Sequence, residues 1–229
     1  MDFSKFEETL GLSFNNKALL RQAFTHRSYI NENRSSGLAH NERLEYLGDA
    51  VLQLVTTDFL FKKFPDKDEG ELTSIRSALV NADTCASVAQ KLSMNDFLLL
   101  SKGESKDTGR ARQYILANTF EAIIGAIYLD RGYNEAVNFI NKHITPLTEA
   151  IVEGGTWVDA KSLFQAKAQE NLSHTPMYKT LSESGPDHDK QFSVGVFVGE
   201  DKMGVGEGKS KQDAEQAAAR DALKKQGWQ

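Results

Sequence analysis

Apolar residues recur at helical spacing through two long stretches of the chain. From Glu42 to Lys63 there is one glycine and no proline, and Leu44, Leu47, Val51, Leu54 and Val55 share a helical stripe that Pro65 brings to an end. From Arg110 to Leu129, the positions of Ile115, Leu116, Phe120, Ile123, Ile124 and Ile127 predict a second long helix, stopped by Arg131-Gly132. Between them, Ser74 to Leu92 reads as helical with a break around Asn81-Ala82-Asp83, and Ser101 to Gly109 (SKGESKDTG) reads as a polar loop. A further helix is expected from about Asn134 to His143, and Pro146 starts a last one that ends at Glu153.

The texture changes at Gly154-Gly155-Thr156, where two glycines leave nothing to pack. Beyond it, Asp159 to Asn171 reads as a short helix, and Met177 to Leu181, Gln191 to Gly199 and Met203 to Gly208 read as strands. Phe192, Val194, Val196 and Val198 alternate with Ser193, Gly195 and Phe197, the pattern of a sheet with one face covered. Turns are expected at Ser184-Gly185-Pro186-Asp187 and Gly199-Glu200-Asp201. Ser210 to Lys225 is an Ala-rich helix that Ser210 can cap, with Asp213 in a capping-box-like place. The expectation is an all-α domain over 1–153, a flexible linker over 154–158, and a small α+β domain of order α-β-β-β-α over 159–229.

Composition narrows the class. A length of 229 residues, 40 % hydrophobic and 26 % charged, suits one large or two modest globular domains. The net charge of −5 argues against a binder that works by bulk positive charge. Splitting the chain does not change this: residues 1–156 carry 17 Lys+Arg and 21 Asp+Glu, and residues 157–229 carry 10 and 11. Any nucleic-acid contact must come from locally placed cations. Cys85 is the single cysteine, so no intramolecular disulfide forms, which fits a reducing cytoplasm. Met1 to Glu8 has no basic segment followed by an apolar run, so no secretory signal is expected. The longest apolar candidate, Val51 to Phe61, is interrupted by Gln53, Thr56, Thr57 and Asp58, and no membrane span is expected.

The chemistry lies in the two long helices. Glu42, Glu45 and Asp49 stand at i, i+3 and i+7, on one face, where like charges repel. In the second helix, Asn118 and Glu121 share a face inside an otherwise apolar stretch, and Gly125 continues that face with room for another helix. Two such helices can pack to gather oxygen ligands that a cation would neutralise. Hard oxygen donors with neither His nor Cys beside them suit Mg²⁺ or Mn²⁺, and no zinc spacing is present. Spacing alone leaves a second reading open, in which these acids form structural ion pairs with Arg43, Arg76 or Arg112.

The run from His40 to Leu52 (HNERLEYLGDAVL) closely resembles the signature stretch of the ribonuclease III family. Asp68 to Thr73 with Arg76, and Ile115 to Ala122, resemble that family's two later blocks. The C-terminal stretch resembles a double-stranded-RNA-binding domain through Gly185-Pro186-Asp187-His188, Phe192, Gly206 to Lys211 and Ala214 to Ala218. Nearly the whole chain is covered, in the right order.

The resemblance implies a catalytic domain followed by a double-stranded-RNA-binding domain. It implies metal-dependent hydrolysis of double-stranded RNA to 5′-phosphate and 3′-hydroxyl ends, in RNA processing, by a homodimer of catalytic domains. Glu45, Asp49 and Glu121 would be metal-ligand carboxylates with Asn118 beside them, and Glu42 and Glu69 supporting acids. The family usually carries Asp where this chain has Asn118; an amide oxygen still ligates a hard cation, but one negative charge is lost. In the second domain, Gln165 and His188 would reach minor grooves, and Lys211, with Lys209 nearby, would meet phosphates at a helix N-terminus. Asp213 and Glu215 stand close by, so duplex binding should be weak and strongly salt-sensitive. Three functions are therefore in play: an active endonuclease, a duplex-binding protein whose cleavage Asn118 impairs, and a purely structural helical protein.

Overall fold

The computed structural model describes residues 2–155, 157, 159–186 and 190–228. The chain divides into two compact units, Met1–Trp157 and Val158–Gln229.

The first unit is helical: α1 (Ser4–Leu10), α2 (Lys17–Ala23), α3 (Arg27–Glu32), α4 (Glu42–Lys63), α5 (Glu69–Val80), α6 (Ala82–Lys91), α7 (Arg110–Arg131), α8 (Tyr133–His143) and α9 (Thr148–Glu153). At its centre is α7, where Ile115 to Ala117, Thr119, Phe120 and Ala122 to Ile127 are all buried. A helix buried on nearly every side must be apolar all round, which is why its polar positions Asn118 and Glu121 stand out. Packed across it is α4, which buries Leu44, Gly48, Val51, Leu52, Val55, Thr56 and Leu60. The break expected near Asn81 is real: Asn81 leaves the helical region and its side chain accepts from Thr84 N to cap α6.

Two features differ from the sequence reading. Helix α5 begins at Glu69, five residues before Ser74, because Asp68 and Glu71 make a reciprocal capping box: Glu71 N donates to Asp68 Oδ1 at 2.8 Å and Asp68 N to Glu71 Oε2 at 3.2 Å. Ahead of α4, the short helices α1 to α3 fold around an aromatic cluster in which Phe6 meets Phe24 edge-on at 4.8 Å and Phe97 packs on both. Helices of six or seven residues are too short to announce themselves by periodicity.

The second unit is α10 (Ala160–Leu172), β1 (Met177–Ser184), β2 (Gln191–Val198), β3 (Asp201–Gly208) and α11 (Lys211–Gln226). The strands form an antiparallel sheet of order β1-β2-β3, with Tyr178 opposite Val196 and Val196 opposite Gly204. Val196 and Val198 are buried on the sheet face that meets Phe164, Ala168, Ala218 and Ala222, and Val194 is buried as well. Gly204, Gly206 and Gly208 let α11 lie directly on β3. A methyl on Gly206 would overlap the Ala218 amide nitrogen, and one on Gly208 would come within 2.6 Å of that of Ala214. Ser210 caps α11, accepting from Asp213 N at 3.1 Å and donating to Asp213 Oδ2 at 2.6 Å.

Among the described residues, no helix is long and apolar enough to cross a membrane.

Candidate active site and RNA-binding elements

The start of α4 is anchored by a buried polar residue. Asn41 donates from its side chain to Ala23 O at 3.1 Å and from its backbone to Thr25 O at 2.9 Å, while its own carbonyl receives Glu45 N at 2.9 Å. These three bonds set where α4 begins. From that start, Glu42, Glu45 and Asp49 follow along one face.

The crossing of α4 and α7 is a backbone contact. A methyl built on Gly48 would overlap the carbonyl oxygen of Glu121 and lie 2.9 Å from the Gly125 nitrogen; one built on Gly125 would overlap the carbonyl oxygen of Leu44. Glycine at both positions removes the side chains that would hold the helices apart. The crossing thus brings Asp49, next to Gly48 in sequence, against the turn of α7 that carries Asn118 and Glu121.

Electrostatics record the crowding. Burial, and then the charges of Asp49 and Glu45, push the Glu121 carboxyl up to about 8. Burial, Glu42 and Asp49 raise that of Glu45. Cys85 of α6 lies within this field: burial, then Glu121 and Asp49, drive its thiol above the ordinary thiol range, so it is held as an inert neutral group.

The ion-pair reading fails for the three inner acids. Among the described residues no Lys or Arg pairs with Glu45, Asp49 or Glu121. Arg76 instead donates to Thr57 Oγ1 at 3.0 Å, and Arg112 to Asn95 Oδ1 at 2.9 Å and to the Glu104 carbonyl at 2.6 Å. Glu42 pairs with Arg27 at 3.1 Å, and the His40 ring stands 3.7 Å from its carboxylate. Pairing with Arg27, a partner on another helix that periodicity does not point to, separates Glu42 from its two helix mates. Asn118 is half-buried and its side chain makes no hydrogen bond to the described residues. Glu69 is exposed in the first turn of α5, at a cavity of about 460 Å³ lined by Phe61, Lys67, Thr73 and Arg76. As they stand, no three His, Cys, Asp or Glu side chains among the described residues are close enough to hold one ion.

In the second unit Gln165 is exposed on α10, and Lys209 and Lys211 are exposed at the start of α11, where Lys211 Nζ also stands 5.7 Å over the Phe192 ring. Lys161 of α10 pairs with Glu215 of α11 at 2.6 Å, and Gln216 donates to Asp159 Oδ1 at 2.8 Å, which ties the two helices together. His188 lies outside the described residues.

Fold and site together define a two-part protein: a helical unit with an acidic helix crossing, and a small helix-flanked sheet of the kind that grips duplex RNA. Two family models match in the same order, one described as ribonuclease-III-like over residues 16–147 and one as a double-stranded RNA binding motif over residues 160–226. Ribonuclease 3 of Oceanobacillus iheyensis is 43 % identical across 97 % of each chain. Ribonuclease 3 of Protochlamydia amoebophila is 47 % identical over 95 % of this chain and 89 % of that one. A solved nuclease domain of ribonuclease III from Campylobacter jejuni covers 63 % of this chain and 97 % of its own, with 40 % identity and a TM-score of 0.58. The chain belongs to the ribonuclease III family of endoribonucleases.

Proposed function

We propose that this chain cuts double-stranded RNA using a divalent cation, Mg²⁺ with Mn²⁺ as a substitute, held by Glu45, Asp49 and Glu121 together with the amide oxygen of Asn118. The observation that carries this reading is the unpaired group of carboxylates at the Gly48–Gly125 crossing, whose charges oppose one another without a cationic side chain to relieve them. The donor set fits such an ion: hard oxygens on two helices, half-exposed and able to rotate into a ligand set. When bound, the ion supplies an activated water and stabilises the leaving 3′-oxygen, leaving 5′-phosphate and 3′-hydroxyl ends. The chain's own part is to fix the helices, to hold the Glu121 carboxyl up at about 8 through burial and the neighbouring acids, and to keep lysine and arginine away from the ligand oxygens. Glu42, held by Arg27, and Glu69 have supporting places at the edge of this surface.

The second unit presents the duplex. Gln165 and Lys211, with Lys209, lie on exposed parts of α10 and α11, and the first turn of a capped helix favours phosphate. His188 belongs to the same reading through its motif. Of the expected linker, Trp157 packs on the first unit's core and Thr156 and Val158 lie outside the described residues, and the single buried thiol fits a cytoplasmic protein.

Cutting both strands takes two such sites, and we infer a symmetric homodimer through the first unit. Tyr46, Leu54 and Phe61 of α4 are 82 %, 57 % and 70 % exposed, and Tyr46 borders a cavity of about 620 Å³ lined by Leu19, Leu47 and Leu129. These exposed apolar side chains on one helix support that reading. A dimer mass by light scattering at micromolar concentration is expected; a monomer would overturn the inference.

The deciding experiment is cleavage of a long perfect duplex in Mg²⁺, read on a denaturing gel, by this chain and by Asn118→Asp. We expect this chain to cut, and the substitution to lower the half-saturating Mg²⁺ concentration about tenfold, the effect of one added charge in a partly screened site. Binding without cutting, with cleavage restored by Asn118→Asp, would make this chain a duplex-binding protein instead.

A further inference from the structure

Gln53 breaks the apolar run of α4, and neither packing nor the ligand set accounts for it. Its side chain is half-buried and donates from Nε2 to Asp49 Oδ1 at 3.3 Å, one helical turn back. Among the described residues this is the sole protein hydrogen bond received by the carboxylates of Glu45, Asp49 and Glu121. The next turn bonds the Gln53 backbone. Thr57 Oγ1 donates to the Gln53 carbonyl at 2.7 Å and accepts from Arg76 Nη1 of α5 at 3.0 Å. Asp49, Gln53 and Thr57 form a polar ladder along α4, tied to α5 through Arg76.

We propose that Gln53 is a positioning residue for Asp49, resting on the reading of Asp49 as a metal ligand. Its amide holds one carboxylate oxygen and leaves the other free for the cation. A carboxylate fixed in one rotamer gives up less freedom when the ion arrives, and hydrogen-bonded ligands bind more tightly than loose ones. The choice of an amide matters. Lysine or arginine at this place would also hold Asp49, but its charge would compete with the ion. An apolar residue would leave the carboxylate unrestrained.

The test is a titration of the full chain with Mn²⁺ in the absence of RNA, free ion being read by electron paramagnetic resonance. Gln53→Leu, which keeps the volume and removes the donor, should raise the Mn²⁺ dissociation constant about tenfold, and Gln53→Ala should do the same. Melting temperatures in chelator should stay at the parent's value for Gln53→Leu. In duplex cleavage, the half-saturating Mg²⁺ concentration should rise by the same factor while kcat at saturating Mg²⁺ stays within about twofold. If both Gln53 variants bind Mn²⁺ like the parent while Asp49→Asn weakens binding, the positioning role is overturned and the ligand assignment stands. If Asp49→Asn also binds like the parent, the ligand assignment itself falls. Weaker binding that tracks a lowered melting temperature in both Gln53 variants would make Gln53 structural and overturn the proposal.

Discussion

Replacing Glu121 with Gln is expected to slow duplex cleavage by about 10³-fold or more, a loss of about 4 kcal/mol in transition-state stabilisation, and to leave duplex binding intact. The substitution keeps the side chain's shape at the turn that meets Gly48, so the fold survives. It removes the carboxylate on which burial and the neighbouring acids act most strongly. A second readout comes from stability in chelator. The Glu121 carboxyl sits at about 8 in the folded chain and returns to its ordinary value of 4.5 on unfolding. Above 4.5 the folded chain holds a proton that the unfolded chain has released, so unfolding gains progressively as pH rises. The penalty is absent at low pH, grows through this window, and levels off above about 8. The Glu121→Gln variant carries no such penalty. It should therefore melt like the parent near pH 4 and above it at pH 8, by roughly 1–3 kcal/mol once screening at a half-exposed group is allowed for. Saturating Mg²⁺ should narrow that gap. Cleavage at the parent rate would remove Glu121 from the mechanism, and a stability gap that does not grow with pH would contradict the crowding at the crossing.

Gly48→Ala should be the most damaging single methyl in the first unit. The added carbon would overlap the Glu121 carbonyl oxygen, and the atoms in its way are backbone, which has no rotamer to turn aside. The helices must separate or slide, and a loss of more than about 4 kcal/mol is expected, beyond ordinary overpacking. Each unit carries its own reporter. Trp157 packs on the core of the first, donating from Nε1 to the Val152 carbonyl at 3.2 Å, and Trp228 stacks on Phe164 of the second at 5.6 Å. Helical ellipticity and the Trp157 signal should collapse while the Trp228 transition remains. A shift of only a few degrees in the first unit's melting temperature would show that the crossing tolerates a side chain.

What is legible in the sequence depends on length and on where polar atoms point. The long helices α4 and α7, the three strands and α11 are legible because each repeats its pattern over many residues. The capping pair Asp68 and Glu71 is also present in the sequence, yet periodicity starts the helix only at Ser74, because the first turn of α5, Glu69 to Leu72, is too polar to join an apolar stripe. The one-sided placing of Glu45 and Asp49 follows from spacing, and so does that of Asn118 and Glu121. Whether the two faces meet does not, since this depends on a contact between Gly48 and Gly125 that periodicity cannot express. Arg27 reaching Glu42 and Gln53 reaching Asp49 are equally hidden. The Arg27 pair joins residues on different helices. Gln53 reads in the sequence as a mere interruption of an apolar run, because spacing does not say toward which neighbour an amide turns.

The seam between α11 and β3 gives the second unit the character of a gauge. Gly204, Gly206 and Gly208 press against the backbone around Ala214, Ala218 and Ala222, and at these three positions β3 has no side chain to stand between strand and helix. In the proposed reading Gln165 on α10 and Lys211 at the tip of α11 are the two duplex contacts, and the Lys161–Glu215 and Gln216–Asp159 bonds tie their helices together like the jaws of a calliper. A device of that kind measures; it does not mould itself to what it grips. A duplex whose groove spacing departs from the A-form should be refused for its dimensions, whatever its sequence.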